Sequence, residues 1–334
     1  MGIDKERRKV MRALVAGAIG LAAAPALAAK EGGGGDKDPA SAPKGLVARG
    51  KREGILGERG APDGAKLEDA LGKAVARAAG EKGPVEAMRR LFKPADVVGI
   101  KLNCIAGKGL SPDPKLVGFL AQWLVAAGLP PRNVVIWERT DRELIKAGFA
   151  IQREANAIRC FGTNEDYEKT PREWGAGGSC FARVLAEEFT ALINVGVLKD
   201  HDLAGVSVGL KSWYGSIHNP NKHHDDGCNP YIAHLAAFPL IRDKLRLTVI
   251  DAMAPQCHGG PARQPRWSWP YHAVLASTDP VAIDALGWSV IEARRKEVGL
   301  DPLAKEKREP RYIAGAAKLG LGEAELARIR VEDV

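Results

Sequence analysis

The chain has 334 residues, of which 45% are hydrophobic and 27% are charged, a composition that excludes a collagen-like or low-complexity protein. The formal net charge is +8, but no basic helix face alternates with aromatic side chains. Nucleic-acid binding is therefore not expected, whereas a mildly positive protein suits a small anionic partner. The five cysteines form no C-x-x-C pair, which excludes the usual iron–sulfur, zinc-ribbon and c-type haem signatures.

Residues 1–28 are typical of an export signal. The basic segment "ERRKVMR" precedes the uncharged run "ALVAGAIGLAAAPAL" and a small-residue cleavage site at Ala26–Ala28. The apolar run is short for a membrane span, so no stable span is expected in the mature chain. The Arg7–Arg8 pair resembles a twin-arginine signal, and a general secretory signal is the alternative. The sequence thus predicts the twin-arginine export machinery as a partner and a periplasmic or extracellular location.

Residues 29–55 are predicted to be a flexible linker, because the segment begins with the glycine-rich and polar stretch "KEGGGGDKDPASAPKG". Helical and strand patterns then alternate through two halves, 56–185 and 186–334. The expected strands include "ADVVGIKLNC", "NVVIWE", "NAIRCFG", "ALINVGVLK", "LRLTVIDAM" and "HAVLAS". This alternation predicts an α/β fold with a mainly parallel sheet and helices on both faces, as one domain or as two subdomains. The tail from Pro302 is expected to be helical and exposed.

Two helices carry clear end signals. "KLEDALGKAVARAAG" has alanine and leucine at helical spacing and is predicted to end at Gly80. A long helix is predicted to begin with Asp279 as its N-cap and Pro280 in its first position. Loops follow the predicted strands near Lys101, after residue 199 and after residue 251. In open α/β sheets such loops line the ligand crevice, so the functional site is expected there.

The segment "KDHDLAGVSVGLKSWYGSIHNPNKHH", from Lys199 to His224, contains four of the seven histidines. Small residues around Ser207 would let a ligand approach the backbone. Lys211 offers a positive charge or, if desolvated, an amine nucleophile, and His201 is the candidate base. The candidate catalytic residues are His201 and Lys211, and the candidate substrate-binding residues are Lys101, Asn103, Lys199 and Ser207. A glycine-rich turn beside an exposed lysine is the alternative.

Histidines and aspartates also suggest a divalent metal ion. The candidate ligands are His223, His224, Asp251 and His258, because imidazole and carboxylate groups are common metal ligands. His223 and His224 are neighbours and cannot easily face one metal together, so at most one is expected to bind it. A solvated polar loop is the alternative.

Several blocks in order resemble the domain-of-unknown-function family numbered 362. They are "VVGIKLN", "ALINVGVLKDHDLAGVSVGLKSWYGSI", "LTVIDAMAPQCHGGP" and "VLASTDPVAIDALG", within residues 96–291. The family's lysine–x–histidine falls on Lys199 and His201, its later lysine on Lys211 and its strand-end aspartate on Asp251. The asparagine usual after that later lysine is Ser212 here. The resemblance implies no particular activity.

One block, "HDLAGVSVGLK", also resembles the nickel-pincer lactate racemase family. That resemblance implies an acid/base role for His201, a covalent cofactor anchor at Lys211 and a metal ligand at His223 or His224. The racemases have a second acid/base histidine earlier in the chain, whereas here no histidine precedes His201. The block therefore indicates where a site lies and not which reaction occurs.

The sequence leaves three hypotheses open. The chain is an exported, metal- or cofactor-dependent enzyme acting on a small anionic substrate, or a non-catalytic periplasmic binding or redox-partner module. In the third, the histidines and lysines are solvated loop residues. The most useful observation is whether Lys101, His201, Lys211, His224 and Asp251 point into one cleft.

Overall fold

The structure is a computed structural model that describes residues 44–57 and 60–334. The predicted export signal and the glycine-rich start of the predicted linker lie outside the described residues. Within the described part, no helix combines the length and hydrophobicity needed to cross a membrane. All five cysteines lie in this part, and each is a free thiol.

Strands and helices alternate along the described chain, as the sequence predicts. The first half contains β1 (Leu46–Lys51), α1 (Gly64–Ala79), α2 (Pro84–Leu91), β2 (Val98–Leu102), α3 (Pro114–Ala126), β3 (Val134–Glu138), α4 (Asp141–Ala147), β4 (Arg159–Gly162), β5 (Arg172–Trp174) and β6 (Gly177–Ser179). The second half contains β7 (Ala191–His201), β8 (Gly205–Ser207), α5 (Tyr231–Ala236), α6 (Pro239–Arg242), β9 (Leu245–Gln256), β10 (Ala273–Ser277), α7 (Pro280–Glu297), α8 (Tyr312–Lys318) and β11 (Arg330–Asp333).

One sheet joins most of these strands. Its order is β11-β1-β10-β9-β7-β2-β3-β4, and β8 pairs with β7 outside this path. Strands β9, β7, β2, β3 and β4 pair in parallel, whereas β10 is antiparallel to both of its neighbours. The mainly parallel sheet of the prediction is confirmed. Because β7 pairs with β2, the two predicted halves share this sheet.

A hydrophobic core covers each face of the sheet. Along β7, Ile193 and Val195 belong to the core that includes α1, α2 and α3, while Leu192 and Leu198 belong to the core that includes α5, α7 and α8. Alternate strand residues point to opposite faces, so a strand that is covered on both faces is apolar at most of its positions. This explains why "ALINVGVL" shows no polar alternation, and it confirms helices on both faces.

The predicted helix ends are confirmed. Gly80 follows α1 with a φ of 73°, a left-handed conformation that glycine adopts without strain. The Asp279 side chain accepts hydrogen bonds from the N–H groups of Val281 and Ala282 at the start of α7.

Two boundaries differ from the prediction. The end of the predicted linker, 29–55, forms β1, whose strand pairs with β10 and β11. The tail contains only a short helix, α8, whose Tyr312 and Ile313 are buried, and it ends in β11. Both segments depend on pairing between the two ends of the described chain, which local composition does not reveal.

Candidate functional site

A cavity of about 260 Å³ opens where β2, β3 and β7 end. Its lining includes Asn103, Ile105, Glu138, Arg139, Glu143, Lys199, His201, Asp202, Leu203, Ser207, Lys211, Ser212, Tyr214, Gly215, Pro220, Asn221, His224 and Pro261. Two larger surface clefts, of about 570 and 470 Å³, lie near Glu168 and Asp166. The arginines there pair with acidic neighbours, as Arg172 does with Glu168 and Arg183 with Asp166. The smaller cavity is therefore the stronger candidate for the functional site.

The β7–β8 hairpin positions three of the predicted residues. Lys199 lies opposite Ser207, and His201 lies opposite Gly205. Residues two apart on a strand share a face, so Lys199 and His201 point the same way. Both line the cavity with Ser207, which accepts a hydrogen bond from Asn103 Nδ2 at 3.3 Å.

Lys199 is fully buried, and its Nζ has no hydrogen-bond partner among the described residues. Burial lowers the pKa of Lys199 to about 8, against the attraction of Cys104 and Glu138. A buried, unpartnered ammonium is costly, because folding removes its water and supplies nothing in return. Lys199 is therefore a buried cation at the wall of the cavity, with no partner in the part of the chain that the structure describes.

A 3₁₀ helix, Leu210–Ser216, carries Lys211 into the cavity. The buried Asp284 carboxylate of α7 accepts hydrogen bonds from Gly209 N at 2.8 Å and from Leu210 N at 3.1 Å. Asn194 Nδ2 donates to Gly209 O at 2.8 Å from the neighbouring strand. These hydrogen bonds hold the turn from both sides, so the Cα atom of Lys211 has a defined position.

Lys211 contacts His224 in the cavity wall. Lys211 Nζ lies 3.1 Å from His224 Nε2, and His224 Nδ1 lies 3.1 Å from Pro220 O. A carbonyl oxygen can only accept, so Nδ1 carries the proton and Nε2 accepts from Lys211. Lys211 is only 7% exposed, and burial lowers its pKa to about 8. Its Nζ also lies 3.7 Å from the centre of the Tyr214 ring.

In His201 the proton lies on Nε2, whereas in His224 it lies on Nδ1. Its Nδ1 accepts from Leu203 N at 3.2 Å and Ala204 N at 3.3 Å, so the neutral ring carries its proton on Nε2. The Asp202 carboxylate lies 3.0 Å from the same nitrogen, but its side chain is 61% exposed, so water also solvates it. We therefore assign the tautomer from the two backbone donors. Burial, with the nearby Lys211 charge, lowers the pKa of His201 to about 2. His201 is therefore a neutral hydrogen-bond donor.

A buried ion pair lies beside the cavity. Lys101 Nζ is 3.1 Å from Glu138 Oε1, and both side chains are almost completely buried. Gly215 leaves room for this pair, since a Cβ there would lie 2.7 Å from Lys101 Nζ. Glu138 and its neighbour Arg139 line the cavity but are not among the predicted site residues. Glu138 is the last residue of the predicted strand "NVVIWE", which is a sequence signal for a strand-end position, but the pairing of that strand with β2 is not visible in the sequence.

Pairing leaves two cavity lysines without a carboxylate. Glu138 pairs with Lys101, and Arg139 pairs with Glu143. No ion pair among the described residues includes Lys199 or Lys211, and the remaining cavity acid is Asp202. The wall of the cavity is therefore positive where Lys199 and Lys211 reach it.

The four predicted metal ligands are not brought together. His224 lines the cavity, but His223 packs between the rings of Trp174 and Tyr231. Asp251 accepts hydrogen bonds from the N–H groups of Asp113 and Met253 at 3.1 and 3.0 Å, and burial raises its pKa to about 7. His258 lies against Arg295 and Trp267. In residues 44–57 and 60–334, no group of three or more histidine, cysteine or acidic side chains could hold a metal ion.

Comparison with known proteins agrees with the order of the sequence blocks. The family model described as "Domain of unknown function (DUF362)" matches residues 98–289, which hold β2 to most of α7 and include every residue of the cavity wall. No curated protein and no solved structure gives a match. Since the match spans more than half of the chain, the protein belongs to the DUF362 family.

Proposed function

We propose that the cavity binds a small organic anion and that the protein acts on this anion as an enzyme. The observation that carries the proposal is the buried Lys199 ammonium, which has no partner within residues 44–57 and 60–334 and lies at the wall of a cavity that a second buried lysine also lines. A bound carboxylate would supply the missing charge and the missing hydrogen-bond acceptor.

The size and the other donors support a small ligand. A cavity of about 260 Å³ lies below the range of about 300–1,000 Å³ that is typical of sites for drug-sized molecules. The Nε2–H group of His201 and the hydroxyl of Ser207 add neutral donors beside the lysines. Such a set would hold an anion with a second polar group.

The contact between Lys211 and His224 favours an enzyme over the alternative, a non-catalytic binding or redox-partner module. A binding module needs only charge and shape. Here a buried amine touches a base, and a backbone carbonyl orients that base, which is the general arrangement of an activated nucleophile. Export and metal dependence are not needed for this proposal and stay predictions.

Thermal unfolding with a panel of anions tests the binding. Oxalate, phosphate and acetate are each added to the protein, and oxalate is expected to raise Tm with a concentration dependence that saturates as a single site fills. The matched control is Lys318→Met, which removes an exposed lysine of α8. Equal stabilisation of the wild type and Lys199→Met by oxalate would contradict the proposal.

A further inference from the structure

Building on the anion site proposed above, we propose that Lys211 is an amine nucleophile and forms an imine with the carbonyl group of a small 2-oxo acid. The assignment rests on three features of the cavity: the hydrogen-bonded chain from Lys211 through His224 to Pro220, the unpartnered Lys199, and the donor nitrogen of His201. Each supplies one requirement of imine formation.

The first requirement is a nucleophile with a base beside it. Lys211 Nζ lies 3.1 Å from the unprotonated Nε2 of His224, whose Nδ1–H is held by Pro220 O. Among the described residues, no cavity hydroxyl has such a base. Ser207 accepts from Asn103, and Ser212 and Tyr214 donate to backbone carbonyl groups. The amine is thus the cavity nucleophile that has a partner able to take its proton.

The second requirement is recognition of a carboxylate next to the carbonyl. Lys199 Nζ has no partner among the described residues, and burial, with the charge of Lys199 as a further cause, lowers the pKa of Lys211. Lys199 thus supplies the charged partner that a carboxylate beside the nucleophile requires. A carbonyl carbon bonded directly to the carboxylate would meet Lys211 while the carboxylate meets Lys199.

The third requirement is a donor for the carbonyl oxygen. The rings of His201 and His224 lie 6.0 Å apart and line the same cavity. His201 carries its proton on Nε2 and stays neutral, so it can donate to the oxygen as negative charge develops there. It is not required to give up that proton.

The step balances in atoms and charge. His224 takes one proton from the Lys211 ammonium, and the neutral amine attacks the carbonyl carbon, so a C–N bond forms and the C=O electron pair moves to oxygen. A second nitrogen proton passes to that oxygen, and the first returns from His224 as the C–O bond breaks. An ammonium and a carbonyl thus give an iminium and one water, with no oxidant or reductant.

Reductive trapping tests the proposal. The protein is incubated with pyruvate and sodium cyanoborohydride near pH 8, and the products are read by intact mass and peptide mapping. One carboxyethyl group per chain is expected on Lys211, and an excess of oxalate should prevent its formation. Acetone, which has the carbonyl but no carboxylate, should label Lys211 far less.

Two variants complete the test. Lys211→Arg keeps the charge but cannot form an imine, so it should lose the adduct, and Lys211→Gln serves if the arginine variant does not fold. Lys318→Met is the matched control and should label as the wild type does. Oxalate binding without an adduct on Lys211, or with the adduct on Lys199 or spread over surface lysines, overturns the inference and leaves the anion site standing. Absence of both binding and adduct overturns both proposals.

Discussion

Glu138 forms an ion pair with Lys101 at 3.1 Å beside the cavity, and neither side chain has appreciable contact with solvent. Burial raises the pKa of Glu138 to about 7, although Lys101 opposes this rise. The carboxyl group therefore titrates close to neutral pH in the folded protein, while in the unfolded chain it titrates at about 4.5. Its burial makes the free energy of unfolding depend on pH.

The sign of this dependence follows from proton uptake. Between about pH 4.5 and 7 the folded protein keeps a proton on Glu138 that the unfolded chain has lost, so stability decreases as the pH rises through this window. The decrease is on the order of 3 kcal/mol if Glu138 acts alone. Chemical denaturation at pH 5 and pH 7.5 should show a smaller difference for Glu138→Gln than for the wild type. An unchanged difference would contradict the assignment.

Gly215→Ala should disturb the same ion pair. An added Cβ would lie 2.7 Å from Lys101 Nζ and 3.3 Å from Glu138 Oε1, so the lysine must move away from the carboxylate. We expect a loss of about 1–3 kcal/mol in the free energy of unfolding, measured by urea denaturation. Gly64→Ala is the matched control, since nothing lies within 4 Å of its new Cβ. Equal stability of both variants would contradict this packing.

Lys199→Met should stabilise the protein while it removes anion binding. The pKa of Lys199 falls from 10.5 to about 8 on folding, so below about pH 8 folding must desolvate a charge that methionine lacks. The gain is up to about 3 kcal/mol. It should fade between about pH 8 and 10.5, because there the wild type grows more stable as its folded form loses the proton first. Denaturation across pH measures it, and a destabilised variant at pH 7 would contradict the unpartnered state of Lys199.

Asp284→Ala should loosen the turn that presents Lys211. The substitution leaves the buried N–H groups of Gly209 and Leu210 without their acceptor, at about 1–3 kcal/mol for each. We expect lower stability and weaker oxalate binding, by thermal unfolding and calorimetry. Asp284→Asn keeps one acceptor and should recover part of both. Full oxalate affinity in a folded Asp284→Ala would show that the turn does not position Lys211.

Two exposed apolar side chains at the cavity should favour ligands with an apolar end. Ile105 and Leu203 are 54% and 45% exposed and line the cavity. Leu203→Ser should weaken 4-methyl-2-oxopentanoate binding by about tenfold and leave pyruvate binding nearly unchanged, because only the larger ligand reaches the rim. Ile145→Ser is the matched control, an equally exposed residue of α4 outside the cavity lining. Calorimetric titration distinguishes them, and equal losses for both ligands would contradict the rim contact.

The sequence predicts the fold and the location of the site better than it predicts which residues form the site. Periodicity and end signals are local, so α1 ends at Gly80 and β7 is buried on both faces as expected. Lys199, His201, Ser207 and Lys211 meet because they belong to one hairpin and the turn after it.

Residues brought together by pairing between distant segments were harder to predict. Glu138 reaches the cavity because β3 lies next to β2, which no single stretch reveals. The sequence predicts Asp251 at a strand end, yet β9 continues to Gln256, and the Asp251 carboxylate accepts a hydrogen bond at the start of α3, so it does not join His224. The role of His201 depends on which ring nitrogen meets the backbone, a contact that residue type alone does not determine.

Calorimetric titration of oxalate into the wild type, Lys199→Met and Lys318→Met measures whether Lys199 binds the anion. We expect one oxalate per chain for the wild type and for Lys318→Met. For a folded Lys199→Met we expect an affinity at least about tenfold weaker, because the ligand loses its charged partner. Binding of oxalate by Lys199→Met as tightly as by the wild type would contradict an anion site built on Lys199.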